Sequence, residues 1–495
     1  MELGSIVQFL ENKTILITGA TGFLAKIFLE KILRVQPNVK KLYLLLRAAD
    51  AKCAAERLSN EIIGKDLFRV LREKHGSNLS SLVAEKITVV AGDISLEDLG
   101  VKDSKLRDEM CQNVDTIVNF AATTNFDERY DAALGINTLG PLNILNFAKK
   151  CAGIKILAHV STAYVCGEDV GLIVENQFQM GKAKRGTNPI NIDEEKELVK
   201  KKLQELKSAE ATEKEITSAM KDFGIERAQY YGWPNTYVFT KAMGEMVLGN
   251  LKDKLPLIII RPTMITSTYK EPFPGWIEGI KTIDSVIAGY GKGKLTCFIS
   301  PGTTLDVIPA DMVVNAIIVG MVAKATNHDK NDNMEQQIYH LGSSLRNPVK
   351  FSHLHDFSFR YFTANPWINR DGKPVQIGRG IVLTTMATFR LYLNIRYLLP
   401  LKALNVVNMV LFHKYQEMYT VLDRKIKLVM RLVELYRPYL FFEGIFDDSN
   451  SEKLRIAAKE TSPEADAFNF DPKTIDWEDY MTGAHIPGLV KHAMK

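Results

Sequence analysis

The chain has 495 residues, of which 46% are hydrophobic and 24% are charged. These proportions are typical of globular proteins and exclude an extended disordered chain or a collagen-like repeat. With 63 basic and 58 acidic residues the formal net charge is +5, a balance that argues against a nucleic-acid-binding protein. The five cysteines include no CxxC pair and the histidines no HExxH motif, so neither a disulfide framework nor a metal site is expected.

Short apolar segments alternate with helical patterns over the first 160 residues. The predicted strands are residues 14–18, 41–46, 87–91, 116–120 and 156–161, and a sixth covers 257–260. Most of these segments contain few polar residues, as expected of strands that are buried on both faces of a parallel sheet. We therefore predict an α/β fold with a Rossmann-like, doubly wound parallel sheet. Arg261-Pro262 follows the sixth strand, and we expect the proline to turn the chain away there.

The first predicted strand runs into Gly19-Ala20-Thr21-Gly22, and a helix is predicted over residues 26–33. Gly19 permits a tight turn, and Gly22 lets a pyrophosphate approach the backbone N–H groups at the helix N-terminus. A GxxG sequence alone also occurs in ordinary turns, but its place between a strand and a helix favours dinucleotide binding. The cofactor contacts predicted in this segment are Thr18, Gly19, Thr21, Gly22, Phe23 and Leu24.

Further cofactor contacts are predicted where the next strands end. Arg47 stands where an NAD-dependent enzyme carries an acidic residue for the ribose 2′-hydroxyl. A cation there suits the 2′-phosphate of NADPH, although an ordinary surface arginine is the alternative. Asp93 and Ile94 follow the third strand, and Asn119 and Ala121 lie at the end of the fourth. Because ligands of such folds bind at the carboxyl edge of the sheet, we predict that these residues contact NADPH.

Hydroxyl and amine groups follow in an arrangement that suits carbonyl reduction. The fifth strand ends at Ser161-Thr162, and Tyr237 and Lys241 lie four residues apart on one face of a predicted helix. A nearby ammonium group lowers the pKa of a phenol, which makes Tyr237 a candidate general acid. A strand-end hydroxyl can hold the carbonyl oxygen, and Lys241 can also bind the nicotinamide ribose. Because YxxxK is common by chance, the assignment depends on its combination with the glycine motif.

Two segments depart from this α/β pattern. Residues 192–227 carry many charges of both signs, which predicts an exposed helical insert within residues 168–230, most simply a solvated face without chemistry. The sequence EPFPGW at 271–276 predicts a stiff loop, which could cover the substrate.

From about residue 360 the sequence becomes basic, aromatic and helical. We predict a reductase domain over residues 12–360 and a mainly helical domain over 361–495. Residues 381–412 are mostly apolar, but Arg390, Arg396 and Lys402 interrupt them, so no conventional transmembrane helix is expected. This segment fits either an amphipathic helix at a membrane surface or a helix packed on the main domain.

In its motifs the chain resembles the extended short-chain dehydrogenase/reductases. The matching segments are TGATGFLA (18–25), GDI (92–94), INTLGPLNIL (136–145), VSTAYVCG (160–167), YVFTK (237–241), RP (261–262) and VIPADMV (307–313). The resemblance implies that Thr162 is the catalytic hydroxyl, with Ser161 as its neighbour, and that Asn137 supports the active-site region. Ala25 replaces the third glycine of many members, which removes one element of the signature.

More narrowly, the chain is similar to the plant alcohol-forming fatty acyl-CoA reductases. The similarity rests on LITGATGFLAK, the long interval from Thr162 to Tyr237, EPFPGW, and YRPYLFFEGIFDDSN at 436–450. It implies reduction of long-chain or very-long-chain fatty acyl-CoA by NADPH to a primary alcohol, through an enzyme-held aldehyde, for wax or suberin lipids. It also implies a location at the cytoplasmic face of the endoplasmic reticulum membrane. The alternatives are a reductase of a sterol, a flavonoid-like ketone or a nucleotide-sugar, and a non-catalytic NADPH-sensing protein.

Overall fold

The computed structural model describes residues 2–186, 188–326 and 337–494. The chain divides into two compact units. Unit 1 contains Met1–Gly279, Asp306–Asn347 and Ile445–Lys495, and unit 2 contains Ile280–Leu305 and Pro348–Gly444.

The strands of both units are short. They are β1 (Thr14–Thr18), β2 (Lys41–Leu46), β3 (Ile87–Ala91), β4 (Thr116–Asn119), β5 (Ile156–Val160), β6 (Gly171–Ile173), β7 (Leu257–Pro262), β8 (Met264–Thr266), β9 (Cys297–Ile299), β10 (Thr304–Leu305), β11 (Val307–Pro309), β12 (Gln337–Leu341), β13 (Val349–Lys350), β14 (Ile381–Leu383) and β15 (Gly444–Phe446).

The α-helices lie between and after these strands. They are α1 (Ile6–Leu10), α2 (Phe23–Val35), α3 (Ala51–Arg57), α4 (Arg69–His75), α5 (Leu79–Lys86), α6 (Ser104–Asn113), α7 (Tyr130–Leu134), α8 (Gly140–Lys150), α9 (Ile192–Ser208), α10 (Glu213–Tyr231), α11 (Thr236–Leu251), α12 (Thr282–Gly291), α13 (Ala310–Thr326), α14 (Phe351–Ala364), α15 (Met386–Leu393), α16 (Leu399–Val410), α17 (Gln416–Leu440), α18 (Ser449–Thr461), α19 (Trp477–Tyr480) and α20 (Ile486–His492).

Unit 1 is built on a parallel sheet with the strand order β12-β7-β5-β4-β1-β2-β3. Every residue of β1 is buried, and β1 pairs in parallel with β2 on one side and β4 on the other. The strand order therefore reverses between β1 and β4, which is where ligands bind at the carboxyl edge of doubly wound sheets. The predicted α/β fold is confirmed.

The expectation that Pro262 turns the chain away from the sheet is wrong. Strand β7 continues through this residue, and Pro262 pairs with Leu341 of β12. The pairing of β7 with β5 ends earlier, at Ile260. Because only one neighbouring strand remains at this end of β7, the missing N–H of the proline is tolerated.

The charged insert is helical as predicted, but it is not merely a solvated face. Helices α9 and α10 cover most of it, and Glu195 of α9 is fully buried. Its carboxylate accepts hydrogen bonds from Arg227 Nη2 at 2.5 Å and from the phenol of Tyr130 at 2.6 Å. Gly224 of α10 packs closely on Thr236, at the start of α11. The insert thus supports the helix that carries Tyr237.

The end of the chain returns to unit 1. Asn450 Nδ2 donates to the backbone oxygen of Ile338 at 3.0 Å, and Ser451 Oγ donates to that of His340 at 2.7 Å. Helix α18 is therefore fixed to β12 of the sheet. This arrangement differs from the predicted division at residue 360, because only part of the later sequence belongs to unit 2.

Unit 2 is mainly helical and contains α12 and α14–α17, with two small strand pairs, β9 with β14 and β10 with β13. Helices α16 and α17 form a hairpin, and Asn408 Nδ2 donates to Gln416 Oε1 at 2.7 Å near its turn. Among the helices of the described residues, none has the combination of length and hydropathy required to cross a membrane.

Candidate active site

The turn between β1 and α2 has the geometry that dinucleotide binding requires. Gly19 has a φ of 64°, and a Cβ atom there would lie 2.7 Å from the backbone N and Cα of Ala121. Helix α2 starts at Phe23, and its N-cap residue Gly22 adds no side chain that would cap the helix. The first N–H groups of α2 are therefore open to an anionic pyrophosphate. Ala25 is buried, so a small residue serves here in place of the third glycine.

The other predicted residues of this turn surround the same helix end. Thr21, Phe23 and Leu24 are partly exposed around the exposed Gly22. Thr18, in contrast, is fully buried, and its hydroxyl donates to Asn119 Oδ1 at 2.6 Å. The side chains of Thr18 and Asn119 thus join the ends of β1 and β4 from inside. Their predicted contact with the cofactor stays a prediction.

The ends of β2 and β3 reach the same edge of the sheet. Arg47 is exposed, and its guanidinium makes no hydrogen bond with another described residue, whereas its backbone oxygen accepts one from Arg57 at 2.6 Å. Asp93 Oδ1 accepts hydrogen bonds from the N and Oγ atoms of Ser95 at 2.9 and 2.8 Å. Ile94 is buried. Arg47 is thus available to a ligand phosphate.

The predicted catalytic residues come together at the carboxyl end of β5. Tyr237 lies in the first turn of α11, whose N-cap Asn235 accepts a hydrogen bond from Val238 N at 3.1 Å. The Thr162 hydroxyl is close enough to the Tyr237 phenol to lower its pKa. The same hydroxyl donates to the backbone oxygen of Pro262 at 3.4 Å and accepts a hydrogen bond from Tyr164 N at 3.3 Å. A phenol and a hydroxyl therefore face one point, as the reduction of a carbonyl requires.

Among the residues that the structure describes, the side-chain oxygen of the neighbouring Ser161 has no hydrogen-bond partner. Its side chain is buried, and its Oγ atom has no hydrogen bond to any other described residue. Buried hydroxyls are usually hydrogen-bonded, so an orphan hydroxyl beside Thr162 fits a site that receives a polar ligand.

The prediction that Lys241 lowers the pKa of Tyr237 is wrong. Burial raises the pKa of Tyr237 to about 12, although the neighbouring Thr162 hydroxyl opposes this rise. Lys241 Nζ instead donates to the backbone oxygen of Val160 at 2.8 Å and lies 3.3 Å from His159 Nε2. Burial lowers the pKa of Lys241 to about 8, and the charge of Glu245 opposes this fall.

Asn137 has the supporting position that the resemblance implied. It is fully buried, and its Nδ2 atom donates to Thr240 Oγ1 and to the backbone oxygen of Thr123, both at 3.1 Å. Its Oδ1 atom accepts a hydrogen bond from Thr123 N at 3.0 Å. Asn137 therefore ties the segment after β4 to helix α11.

Two residues of the site were not predicted from the sequence. The ring of Phe126 stacks on that of Tyr237, with centroids 5.5 Å apart. His159 is fully buried on β5, between Asn119 and Lys241. A histidine inside an otherwise apolar strand was a signal that could have identified His159, whereas the loop sequence around Phe126 carries none.

The EPFPGW sequence forms a loop that lies on α2. Trp276 stacks on Phe23 with centroids 5.2 Å apart, and Glu278 pairs with Lys26 at 2.5 Å. Glu271 forms an ion pair with Lys31. The predicted loop is therefore present and is fixed beside the N-terminus of α2. Its role as a substrate cover stays a prediction.

Comparison with known proteins identifies the family. Two family profiles, both described as Male sterility protein, match residues 17–317 and 396–495, and the first is an NAD-binding profile. The alcohol-forming fatty acyl-CoA reductase of Simmondsia chinensis is 57% identical over 494 residues, which cover 100% of this chain and 99% of the relative. Fatty acyl-CoA reductase 1 of Arabidopsis thaliana is 57% identical over 492 residues, 99% of each chain.

The chain belongs to the fatty acyl-CoA reductase family. This confirms the resemblance found in the motifs and establishes a nicotinamide-binding domain. Solved structures agree on the fold of this fatty acyl-CoA reductase. The reductase domain of a non-ribosomal peptide synthetase from Mycobacterium tuberculosis matches with a TM-score of 0.54 at 18% identity, over 98% of this chain and 92% of that domain.

Proposed function

We propose that this protein reduces fatty acyl-CoA to the primary fatty alcohol with NADPH. The observation that carries the proposal is the proximity of the Thr162 hydroxyl and the Tyr237 phenol at the sheet edge that also holds the Gly19 turn. Support comes from the 57% identity to an alcohol-forming fatty acyl-CoA reductase along the whole chain. A sterol, flavonoid-like or nucleotide-sugar reductase and a non-catalytic sensor are less consistent with this identity.

The reduction of a thioester to an alcohol consumes two hydrides and two protons, and the nicotinamide cofactor supplies hydride when bound. Thr162 and Tyr237 donate hydrogen bonds to the carbonyl oxygen as negative charge develops on it. In the first reduction the C–S bond breaks, CoA leaves as the thiol after taking up a proton, and an aldehyde remains. In the second reduction Tyr237 gives its proton to the alkoxide oxygen. Because burial raises its pKa to about 12, Tyr237 holds this proton at neutral pH.

The residues at the turn fit a dinucleotide. A Cβ atom at Gly19 would occupy the space against Ala121, and Gly22 leaves the start of α2 uncapped. Gly19, Thr21 and Gly22 would hold the pyrophosphate. The choice of NADPH over NADH is supported by the exposed Arg47 at the end of β2, since a guanidinium forms charge-assisted hydrogen bonds with a phosphate.

Incubation of the purified protein with each cofactor and a series of long-chain and very-long-chain acyl-CoAs tests the proposal. We expect primary alcohol as the product and NADPH as the preferred cofactor. Arg47→Ala should lower kcat/KM for NADPH about 10-fold or more, since a charged hydrogen bond is lost, and should leave the value for NADH unchanged.

The matched control is Lys52→Ala, which removes one exposed positive charge on α3 without changing the end of β2. It should keep the cofactor preference of the wild type. Absence of any alcohol product would contradict the proposed function. An unchanged ratio of the two kcat/KM values in Arg47→Ala would remove Arg47 from the cofactor site.

We also propose that α15–α17 hold the protein at the cytoplasmic face of the endoplasmic reticulum membrane. Support comes from exposed apolar side chains on these helices, among them Val410 at 70% exposure and Val406, and from Phe412 at 94% in the turn between α16 and α17. Residues 386–440 contain nine Lys or Arg residues and three acidic residues. Exposed apolar groups among cations are suited to the interface of a membrane with anionic lipids.

Flotation with vesicles of phosphatidylcholine and phosphatidylinositol tests this location. The wild type should float with the vesicles, and the triple variant Val406→Asp, Val410→Asp, Phe412→Asp should bind at least about 100-fold more weakly, because three apolar side chains are lost from the interface. The control places the same change at Val170, Leu172 and Val174, which are exposed in unit 1. A wild type that does not float, or a triple variant that floats equally well, would contradict the proposal.

A further inference from the structure

A chain of buried polar side chains runs from the glycine turn to Lys241. Thr18 Oγ1 lies 2.6 Å from Asn119 Oδ1, Asn119 Nδ2 lies 3.0 Å from His159 Nδ1, and His159 Nε2 lies 3.3 Å from Lys241 Nζ. All four side chains are buried. Buried polar groups are costly unless hydrogen bonds satisfy them, so these four side chains depend on one another.

Lys241 depends on these hydrogen bonds because no anionic group of the described residues pairs with it. It is 1% exposed, and no carboxylate of the described residues forms an ion pair with its Nζ atom. The carboxylate one turn along α11, Glu245, pairs with Arg261 at 2.6 Å. Lys241 Nζ therefore has two neutral partners, the Val160 oxygen and His159 Nε2. An ammonium group without a carboxylate is stabilised in the interior only by such acceptors.

His159 has the electronic state that an acceptor needs. Burial, and then the charge of Lys241, hold the pKa of His159 well below its ordinary range, so the imidazole is neutral. When Nε2 accepts from Lys241, Nδ1 carries the proton and needs an acceptor. The Asn119 amide then presents its oxygen to Nδ1 and its NH₂ group to Thr18, the reverse of the orientation in which Nδ2 lies 3.0 Å from Nδ1. The Asn119 amide and the Thr18 hydroxyl can each donate or accept, and Ala121 N also donates to Thr18 Oγ1 at 3.3 Å. The hydrogen bonds can thus run from Lys241 to Thr18.

We propose that His159 is a positioning residue for Lys241, which accepts a hydrogen bond from the ammonium group and keeps it charged and fixed one helical turn from Tyr237. This inference rests on the proposed reduction of acyl-CoA, in which charged Lys241 and protonated Tyr237 form the active state.

The groups that face Lys241 determine how activity depends on pH. They are Glu245 from α11 and His159 from β5. Tyr237 lies one helical turn before Lys241 on α11, and Arg261 of β7 is paired with Glu245. The pKa of Tyr237 is raised to about 12 and that of His159 is far below its usual range, whereas the pKa of Lys241 is lowered to about 8. The kcat/KM value should therefore fall as pH rises through the pKa of Lys241.

Two substitutions of His159 separate its proposed role from a packing role. His159→Leu removes the acceptor, so the pKa of Lys241 should fall and the alkaline decrease of kcat/KM should move to lower pH by about one unit or more. His159→Gln offers an amide oxygen as acceptor, so its alkaline decrease of kcat/KM should lie closer to that of the wild type than in His159→Leu. The control is His355→Gln. His355 is a buried histidine of unit 2 that forms a hydrogen bond with the backbone oxygen of Arg379 and none with Lys241.

Thermal unfolding without substrate gives a readout that does not depend on turnover. The pKa of Lys241 is about 8 in the folded protein and about 10.4 in the unfolded chain. Below pH of about 8 the buried charge therefore lowers the free energy of unfolding by its full amount. As the pH rises from about 8 to about 10.4, Lys241 loses its proton in the folded protein and the free energy of unfolding increases again. To isolate this effect, the Tm of the wild type and of each His159 variant is compared at each pH with the Tm of the same protein that also carries Lys241→Met. In His159→Leu the recovery should begin at lower pH.

The two readouts distinguish failure of this inference from failure of the proposed function. If His159→Leu keeps the pH profile and the pH dependence of Tm of the wild type, His159 does not position Lys241. If His355→Gln shifts the profile as much as His159→Leu, the effect is one of general packing and the inference is also overturned. A wild type without acyl-CoA reduction would contradict the proposed function, whereas the Tm series would still test His159.

Discussion

Tyr237→Phe is expected to lower kcat for alcohol formation by about 10²- to 10⁴-fold, since the proton donor to the substrate oxygen is lost. The fold should persist, because the phenylalanine ring can keep the stacking on Phe126, whose centroid lies 5.5 Å away. The rate should be measured with an acyl-CoA and with the corresponding aldehyde, and Tm should be recorded in parallel. A larger loss with the aldehyde would show that protonation of the alkoxide is the step that depends most on Tyr237.

Tyr290→Phe is the matched control for this variant. The Tyr290 hydroxyl donates to the backbone oxygen of Gly378 at 2.7 Å within unit 2, so the same chemical change also removes one internal hydrogen bond there. It should lower Tm slightly and leave kcat unchanged. If Tyr237→Phe keeps a kcat close to that of the wild type, Tyr237 is not the general acid.

Gly19→Ala is expected to abolish measurable binding of NADPH and to lower Tm. An alanine at a φ of 64° is strained by about 1–2 kcal/mol, and its Cβ atom would lie 2.7 Å from the backbone of Ala121. Relief of this clash moves the turn away from the end of β4, at a further cost of about 1–3 kcal/mol. Titration of the protein with NADPH, followed by fluorescence, and thermal unfolding measure the two effects.

Gly4→Ala provides a control with almost the same backbone conformation. Gly4 has a φ of 65°, but no atom lies within 4 Å of the position that its Cβ atom would take. This variant therefore carries the conformational strain without the clash, and it should lower Tm modestly and keep the wild-type affinity for NADPH. Binding of NADPH by Gly19→Ala with unchanged affinity would show that the turn is not the cofactor site.

Much of the nicotinamide-binding half could be predicted from the sequence because its determinants are local. The strands β1, β2 and β3 have the predicted bounds, since continuous apolar segments between helical patterns are typical of strands buried on both faces. The turn at Gly19 was predicted for the same reason, because a positive φ and a close backbone approach require glycine. The grouping of Thr162 with Tyr237 followed from the family motifs and from the common edge of parallel strands.

The tertiary structure alone decided the electrostatics of the site. The partner of Lys241, His159, lies 82 positions away in the sequence, and the carboxylate of Glu195 is buried by Arg227 and Tyr130 from other elements. Sequence reasoning expected Lys241 to lower the pKa of Tyr237, but burial raises that pKa to about 12. Desolvation depends on how many atoms of distant elements surround a group, and a local pattern of residues does not contain that information. The return of α18 to β12 has the same origin, because it depends on long-range hydrogen bonds such as that from Ser451 to His340.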